Sequence, residues 1–151
     1  ALMSATLDGG GFAGIIPDLA VVESAGRMFP VALRHIGRDP AQRLEDAMAS
    51  AIRRAVTEEE GSILAFLPGV AEIERTAERL EGRLPADVAL FRLHGAREGA
   101  DQRAAIAPPP PGTRKIVLAT SIAETSITID GVRVVVDSGL SRRPQLDRSV
   151  G

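Results

Sequence analysis

Short apolar runs, set apart by stretches of helical period and by polar turns, give the chain its pattern. Ser62 to Leu67 (SILAFL), Leu90 to Leu93, Lys115 to Ala119 and Val132 to Val136 are such runs. Runs of this length with branched side chains read as strands buried on both faces, which is how parallel sheets look in sequence. Between them the period lengthens. From Gln42 to Val56, after Pro40, residues Leu44, Ala47, Met48, Ala51, Ile52 and Ala55 share one stripe, the mark of an amphipathic helix packed on a sheet. The break at Pro68-Gly69 precedes a helix from Val70 to Leu80, and Glu98 to Ile106 predicts a short one. Pro108 to Pro111 can join neither a helix nor a central strand and reads as a linker. Further upstream, Ala1 to Leu7 and Leu19 to Val22 are strand-like, and the alternation in Val31 to Ile36 (VALRHI) predicts another strand. Strands alternating with helices at this spacing predict an α/β domain, a parallel doubly wound sheet with helices on both faces from about Leu19 onward.

Composition narrows the setting. The chain has 151 residues, one domain's worth, with 44% apolar and 25% charged residues, an ordinary balance for a globular protein. No apolar run approaches the ~18 residues of a membrane span, and no signal segment opens the chain, so no membrane partner is expected. There is no Cys, hence no disulfide framework, and a cytoplasmic setting fits. Eighteen basic against 20 acidic residues leave a net charge of −2, so no global basic field announces a nucleic-acid partner. Any such binding rests on local placement, and Arg142, Arg143 and Arg148 cluster late. The chain opens without Met and stops at Gly151 inside what reads as an unfinished hairpin, so a piece of a longer protein is expected.

The chemistry concentrates between Lys115 and Leu140. One apolar run ends at Thr120 and Ser121; the next ends at Asp137, Ser138 and Gly139. Ligands bind at the carboxyl ends of parallel strands, and helix N-termini attract anions. Thr120, Ser121, Thr125, Ser126 and Thr128 add hydroxyls there, so a phosphate or ribose is the natural guest. Hydroxyls also cap their own helices, and on the residues alone that reading weighs equally. Other features carry less. Gly9 to Gly14 spells G-x-G-x-x-G, but Pro17 interrupts the crossover helix and Arg34 stands where the ribose-binding acid belongs, so a flexible turn is preferred to a dinucleotide loop. His35 has no metal-ligating neighbours at ligand spacing, and Glu58 to Glu60 reads as a solvated loop.

Several strings together carry a resemblance. Ser4-Ala5-Thr6, the run from Ile63 to Gly69, Leu93-His94-Gly95, and T-S-I-A-E-T-S-I-T-I from Thr120 to Ile129 occur in the order found in superfamily-2 helicases. The last string resembles motif V of the DEAH-box group, commonly T-N-I-A-E-T-S-L-T-I, and Val135 to Gly139 continues the likeness, which is closest to the bacterial HrpB-type members. The resemblance implies a RecA-like (P-loop NTPase-like) helicase C-terminal domain. Residues 1–18 would be the tail of the first RecA-like domain with its linker, and residues 19–151 the second domain, cut before motif VI. It implies coupling roles for Ser4 and Thr6. Nucleic-acid contacts fall to Thr120, Ser121, His94, Gly95, Arg142 and Arg143, with the nucleotide facing Thr128, Asp130 and Ile106. The implied partners are single-stranded nucleic acid, RNA more than DNA, and the first RecA-like domain; the implied cofactors are ATP and magnesium, held mainly by that first domain.

Two departures bear on this. Ile106 stands where relatives often place an aromatic ring against adenine, which removes the stacking part of that contact and loosens base selectivity. Ser121 replaces the common Asn and keeps fewer donors. The chain also lacks a phosphate loop, a D-E-A-H carboxylate pair and the arginine-rich Q-R-x-G-R-x-G-R segment, so no complete catalytic or metal site is expected in it and the piece alone should not hydrolyse ATP. The alternatives are a nucleotide- or dinucleotide-binding enzyme domain and an inert interaction module.

Overall fold

The computed structural model describes residues 29–94, 99–120 and 129–141. Contacts divide the chain into residues 1–35 and residues 36–151. Of the first unit only residues 29–35 are described, and they carry no regular secondary structure. The strand expected over Val31 to Ile36 is therefore corrected: no strand forms there, and Phe29, Val31, Leu33 and Ile36 are all exposed. Alternation gives a segment one apolar face, but a strand also needs a hydrogen-bonded neighbour, and these residues pair with none of the described strands.

Among the described residues of the second unit four parallel strands, β1 (Ser62–Leu67), β2 (Val88–Leu93), β3 (Arg114–Thr120) and β4 (Val132–Asp137), form one sheet in the order β2-β3-β1-β4. Among the described residues three helices accompany them, α1 (Leu44–Glu58), α2 (Val70–Leu80) and α3 (Gly99–Ile106). The pleat sends alternate residues of each strand to opposite faces. Ile63, Ala65 and Leu67 of β1, with Ile116 and Leu118 of β3, pack on Met48, Ala49, Ile52 and Val56 of α1 and on Ile73, Ala77 and Leu80 of α2. Val117 and Ala119, with Leu64 and Phe66 beside them, face Ala105 of α3. The sheet is thus covered on both faces, as the uninterrupted apolar runs require.

Local chemistry sets the element ends. Helix α1 begins two residues later than its periodicity suggests. The Asp39 carboxylate accepts from Ala41 N at 2.9 Å and the Asp39 carbonyl from Gln42 N at 3.0 Å, so Pro40 sits in a turn and not in the first helical turn. Glu45 and Asp46 then fall in the first turn, where the helix dipole favours anions. Arg79 of α2 pairs with Asp46 and lies 3.7 Å from Glu45, tying the two helices on one face. At the entry to β1, Gly61 has φ of +83°, and a Cβ there would come within 2.7 Å of Arg133 Cγ. Only glycine fits both the backbone and the space. The same place carries the irregularity in the β1–β4 register between Ser62 and Ile63.

Candidate functional site

Because all four strands run parallel, their carboxyl ends share one edge, and the sequence-predicted residues divide between that edge and the opposite one. At the carboxyl edge, Thr120 ends β3 in register with Leu67, and Asp137 ends β4 in register with Phe66, so the two flank the end of β1. Thr120 is half-buried. Asp137 shapes the backbone beyond its strand. Its Oδ1 accepts from Gly139 N at 2.9 Å, while Ser138 N donates to the Phe66 carbonyl at 3.1 Å. These bonds fix how the chain leaves β4.

His94 lies at the end of β2, one strand further along the same edge, with its side chain only 6% exposed. Its Nε2 is 3.2 Å from Glu74 Oε1 on α2. An ionised carboxylate only accepts, so Nε2 carries the proton and donates. The other carboxylate oxygen of Glu74 lies 2.9 Å from Arg92 Nε, an ion pair off the hydrogen-bond axis, and Arg92 also pairs with Glu81. Gln102 of α3 donates to the His94 carbonyl at 3.4 Å. The ring is clamped to the second helix and its backbone to the third. The position from which the chain passes to Gly95 is therefore set from both faces of the sheet.

The amino edge holds the other group. Lys115, the second residue of β3, is 1% exposed, and its ammonium donates to the carbonyls of Ala105 at 2.7 Å, Ile106 at 3.2 Å and Ala107 at 2.5 Å. Three donors meet three acceptors at the end of α3, where the helix dipole is negative. Burial pushes the ammonium below the ordinary lysine range, and the nearby Asp130 carboxylate pulls the other way. Asp130 itself is exposed, in the turn that enters β4. In the next residue of that turn, Gly131, the carbonyl accepts from Ser62 N at 2.9 Å, and the Ser62 hydroxyl accepts from Lys115 N at 3.2 Å. Pro109 of the linker lies against Gly131, 3.8 Å from where a Cβ would stand. Ile106 and Asp130, far apart in sequence, are thus gathered around one buried lysine.

Sequence reasoning missed Lys115 and treated it only as the flank of a strand. The available signal was a lysine directly continuous with four apolar residues expected to be buried. Ser4, Thr6, Gly95, Ser121, Thr128, Arg142 and Arg143 lie outside the described residues, as do the glycine-rich turn at residues 9–14 and the strand-like pieces before residue 29. Among the described residues no group of three His, Cys, Asp or Glu could hold a metal ion, and no helix is long and apolar enough to cross a membrane.

Comparison with known proteins fits this architecture. Residues 44–148 match the helicase conserved C-terminal domain, and the chain belongs to that family. It is 48% identical over 150 residues to the ATP-dependent RNA helicase HrpB of Escherichia coli (strain K12), a match that takes in 99% of this chain and 18% of that protein. It is 32% identical over 154 residues to the pre-mRNA-splicing factor ATP-dependent RNA helicase prp22 of Schizosaccharomyces pombe, covering 98% of this chain and 13% of the other. Two crystal structures of E. coli HrpB, described as a DExH-box NTPase and as a DEAH/RHA helicase, superpose with TM-scores of 0.76 and 0.78 at 51% identity, over 89% of this chain and 17% of theirs. The fold is that of a RecA-like helicase C-terminal domain, and the chain spans less than a fifth of the relatives it matches.

Proposed function

We propose that this chain is the second motor half of an ATP-dependent, DEAH-box nucleic-acid helicase acting on RNA. On this reading residues 1–18 are the tail and linker of the first RecA-like domain and residues 19–151 the second. The carboxyl edge, where Thr120 ends β3 and His94 fixes the end of β2, takes the strand's backbone, and Ser121, Gly95, Arg142 and Arg143 are further contacts to it. Hydroxyls and backbone N–H groups bind phosphates without reading bases, which suits an enzyme that moves along any sequence. The amino edge takes one side of ATP, with Asp130 toward the ribose and Ile106 toward the base, and Thr128 is a further nucleotide contact. Ser4 and Thr6 couple the two events. Magnesium and the triphosphate belong mainly to the first domain, since this chain has neither a phosphate loop nor the carboxylate pair. RNA is favoured over DNA because both named relatives are RNA helicases.

The observation that carries the reading is the course of a single string. It leaves the sheet at Thr120 on the carboxyl edge and returns at Asp130 on the amino edge, where the Asp130 charge acts on Lys115, the lysine that holds the Ile106 carbonyl. That course supports assigning one motif to both ligands. The test is ATP turnover by the full-length protein with and without single-stranded RNA, alongside residues 1–151 alone. Strand-stimulated turnover in the first and none in the second is expected. A full-length protein whose turnover ignores nucleic acid would overturn the proposal.

A further inference from the structure

The geometry points to Lys115 as a positioning residue for the nucleoside, one that touches no ligand itself but locks the end of α3 and the proline linker against the Asp130 turn. The inference rests on the reading that Ile106 and Asp130 face the nucleotide. A lysine 1% exposed with its three N–H groups shared among three consecutive carbonyls is a saturated arrangement, and it fixes one point in space for Ala105, Ile106 and Ala107. The residue that fixes Ile106 is also bound through its own backbone N–H to Ser62, whose N–H in turn holds the Gly131 carbonyl. Asp130 is the neighbour of that glycine. Two surfaces from separate parts of the chain, an aliphatic side chain and a carboxylate, are thereby set at one spacing by a rigid strand between them. Ala105 packs in the core and Ala107 N bonds the Arg103 carbonyl at 2.9 Å, and Lys115 adds the link that ties this helix end to β3. Helix α3 has only eight residues, too few to be stable by itself, and four prolines follow it closely and donate no hydrogen bonds.

In the full-length protein, Lys115→Met should raise the dissociation constant of a fluorescent ADP analogue about tenfold and raise the ATP KM in parallel. Affinity for a single-stranded RNA oligonucleotide without nucleotide should stay within about twofold. A merely structural role would lower the melting temperature and weaken both ligands together, and equal losses would overturn the proposal. So would a folded Lys115→Met with unchanged ADP affinity. Should Lys115→Met fail to fold, Lys115→Arg decides: the bulkier planar head keeps the charge but moves the helix end, so ADP affinity should fall at least about threefold with the fold intact, and an unchanged affinity overturns the inference. Asp130→Ala and Ile106→Ala, measured beside it, separate this from failure of the underlying reading. If they too leave ADP binding untouched, the nucleotide face is wrong. If they weaken it and the lysine variants do not, only the role of Lys115 is.

Discussion

Arg114 and Lys115 are neighbours in sequence, yet each caps a different helix on a different face of the sheet. The Arg114 guanidinium donates to the carbonyls of Glu59 at 2.7 Å and Val56 at 2.8 Å at the end of α1, while Lys115 donates to the last carbonyls of α3. The pleat makes this possible, since successive side chains of β3 point opposite ways. Both helix ends carry a partial negative charge and carbonyls without intrahelical partners; α1 has no basic residue in its last turn, and α3 has only Arg103 there.

Arg114→Ala should therefore cost stability without touching ligand affinity. Two hydrogen bonds from a charged donor disappear from a half-buried site, a loss of about 1.5–3 kcal/mol. Urea unfolding should show the midpoint falling with an unchanged slope, and ADP affinity should remain that of the parent. A clear loss of ADP affinity would mean that the two caps are not independent.

Thr120→Ala in the full-length protein should weaken single-stranded RNA binding by about 1–3 kcal/mol, the value of one hydrogen bond to a charged phosphate. That corresponds to roughly fivefold to 150-fold in the dissociation constant. Because the partner is backbone, the loss should be equal across homopolymer and mixed-sequence strands. A defect that tracked base identity, or normal binding to all strands, would leave helix capping as the better account of this hydroxyl.

Asp130→Ala and Thr128→Ala should raise the nucleotide KM and leave strand affinity without ATP nearly unchanged, separating two classes of variant within one motif. Ile106→Phe should act in the opposite direction. A ring in that place restores stacking on the base, worth about 0.5–1.5 kcal/mol, or roughly two- to twelvefold in ATP affinity. Competition between ATP and pyrimidine triphosphates reads it: selectivity for the purine should rise, and no change would take Ile106 off the nucleotide face.

The charge on Lys115 gives a pH dependence with a definite sign. Burial holds its folded-state pKa below the unfolded value, so between the two the unfolded chain binds more protons and stability rises with pH. The cost of the buried charge is present below the folded pKa and lifts as pH rises toward the ordinary lysine value of about 10.4. Thermal melts of the wild type and Lys115→Met, compared from about pH 8 to about pH 10, should show the wild type gaining ground. Comparison with the variant removes the other titrating groups. A wild type that loses ground over this range would contradict the assignment.

The fold was legible where burial alone decides structure. Val70–Leu80 and Ser62–Leu67 match their expected bounds, and the other strands differ by one or two residues at an end. Val31 to Ile36 failed because period-two alternation reports which side of a segment is apolar and not whether a neighbouring strand exists. The candidate site was legible only as separate strings. That Thr120 and Asp137 flank β1 follows from strand order, which no local pattern contains. The lysine beneath Ile106 was hidden for a similar reason: its partners lie eight to ten residues earlier, on the far side of a proline linker. A charge beside a buried run looks like a solvated end until the helix that covers it is in place.

Strand β3 has its two ends at the two edges where ligands are proposed to act. Its seven residues span about 20 Å at roughly 3.3 Å each, and the five between Arg114 and Thr120 are buried, with strands paired along both sides. Close-packed interiors compress little. The strand is therefore a stiff link between Lys115 and Thr120: if the two ligands act at these edges as proposed, a displacement at one end would be carried to the other by the sheet itself, without a relay of switching side chains.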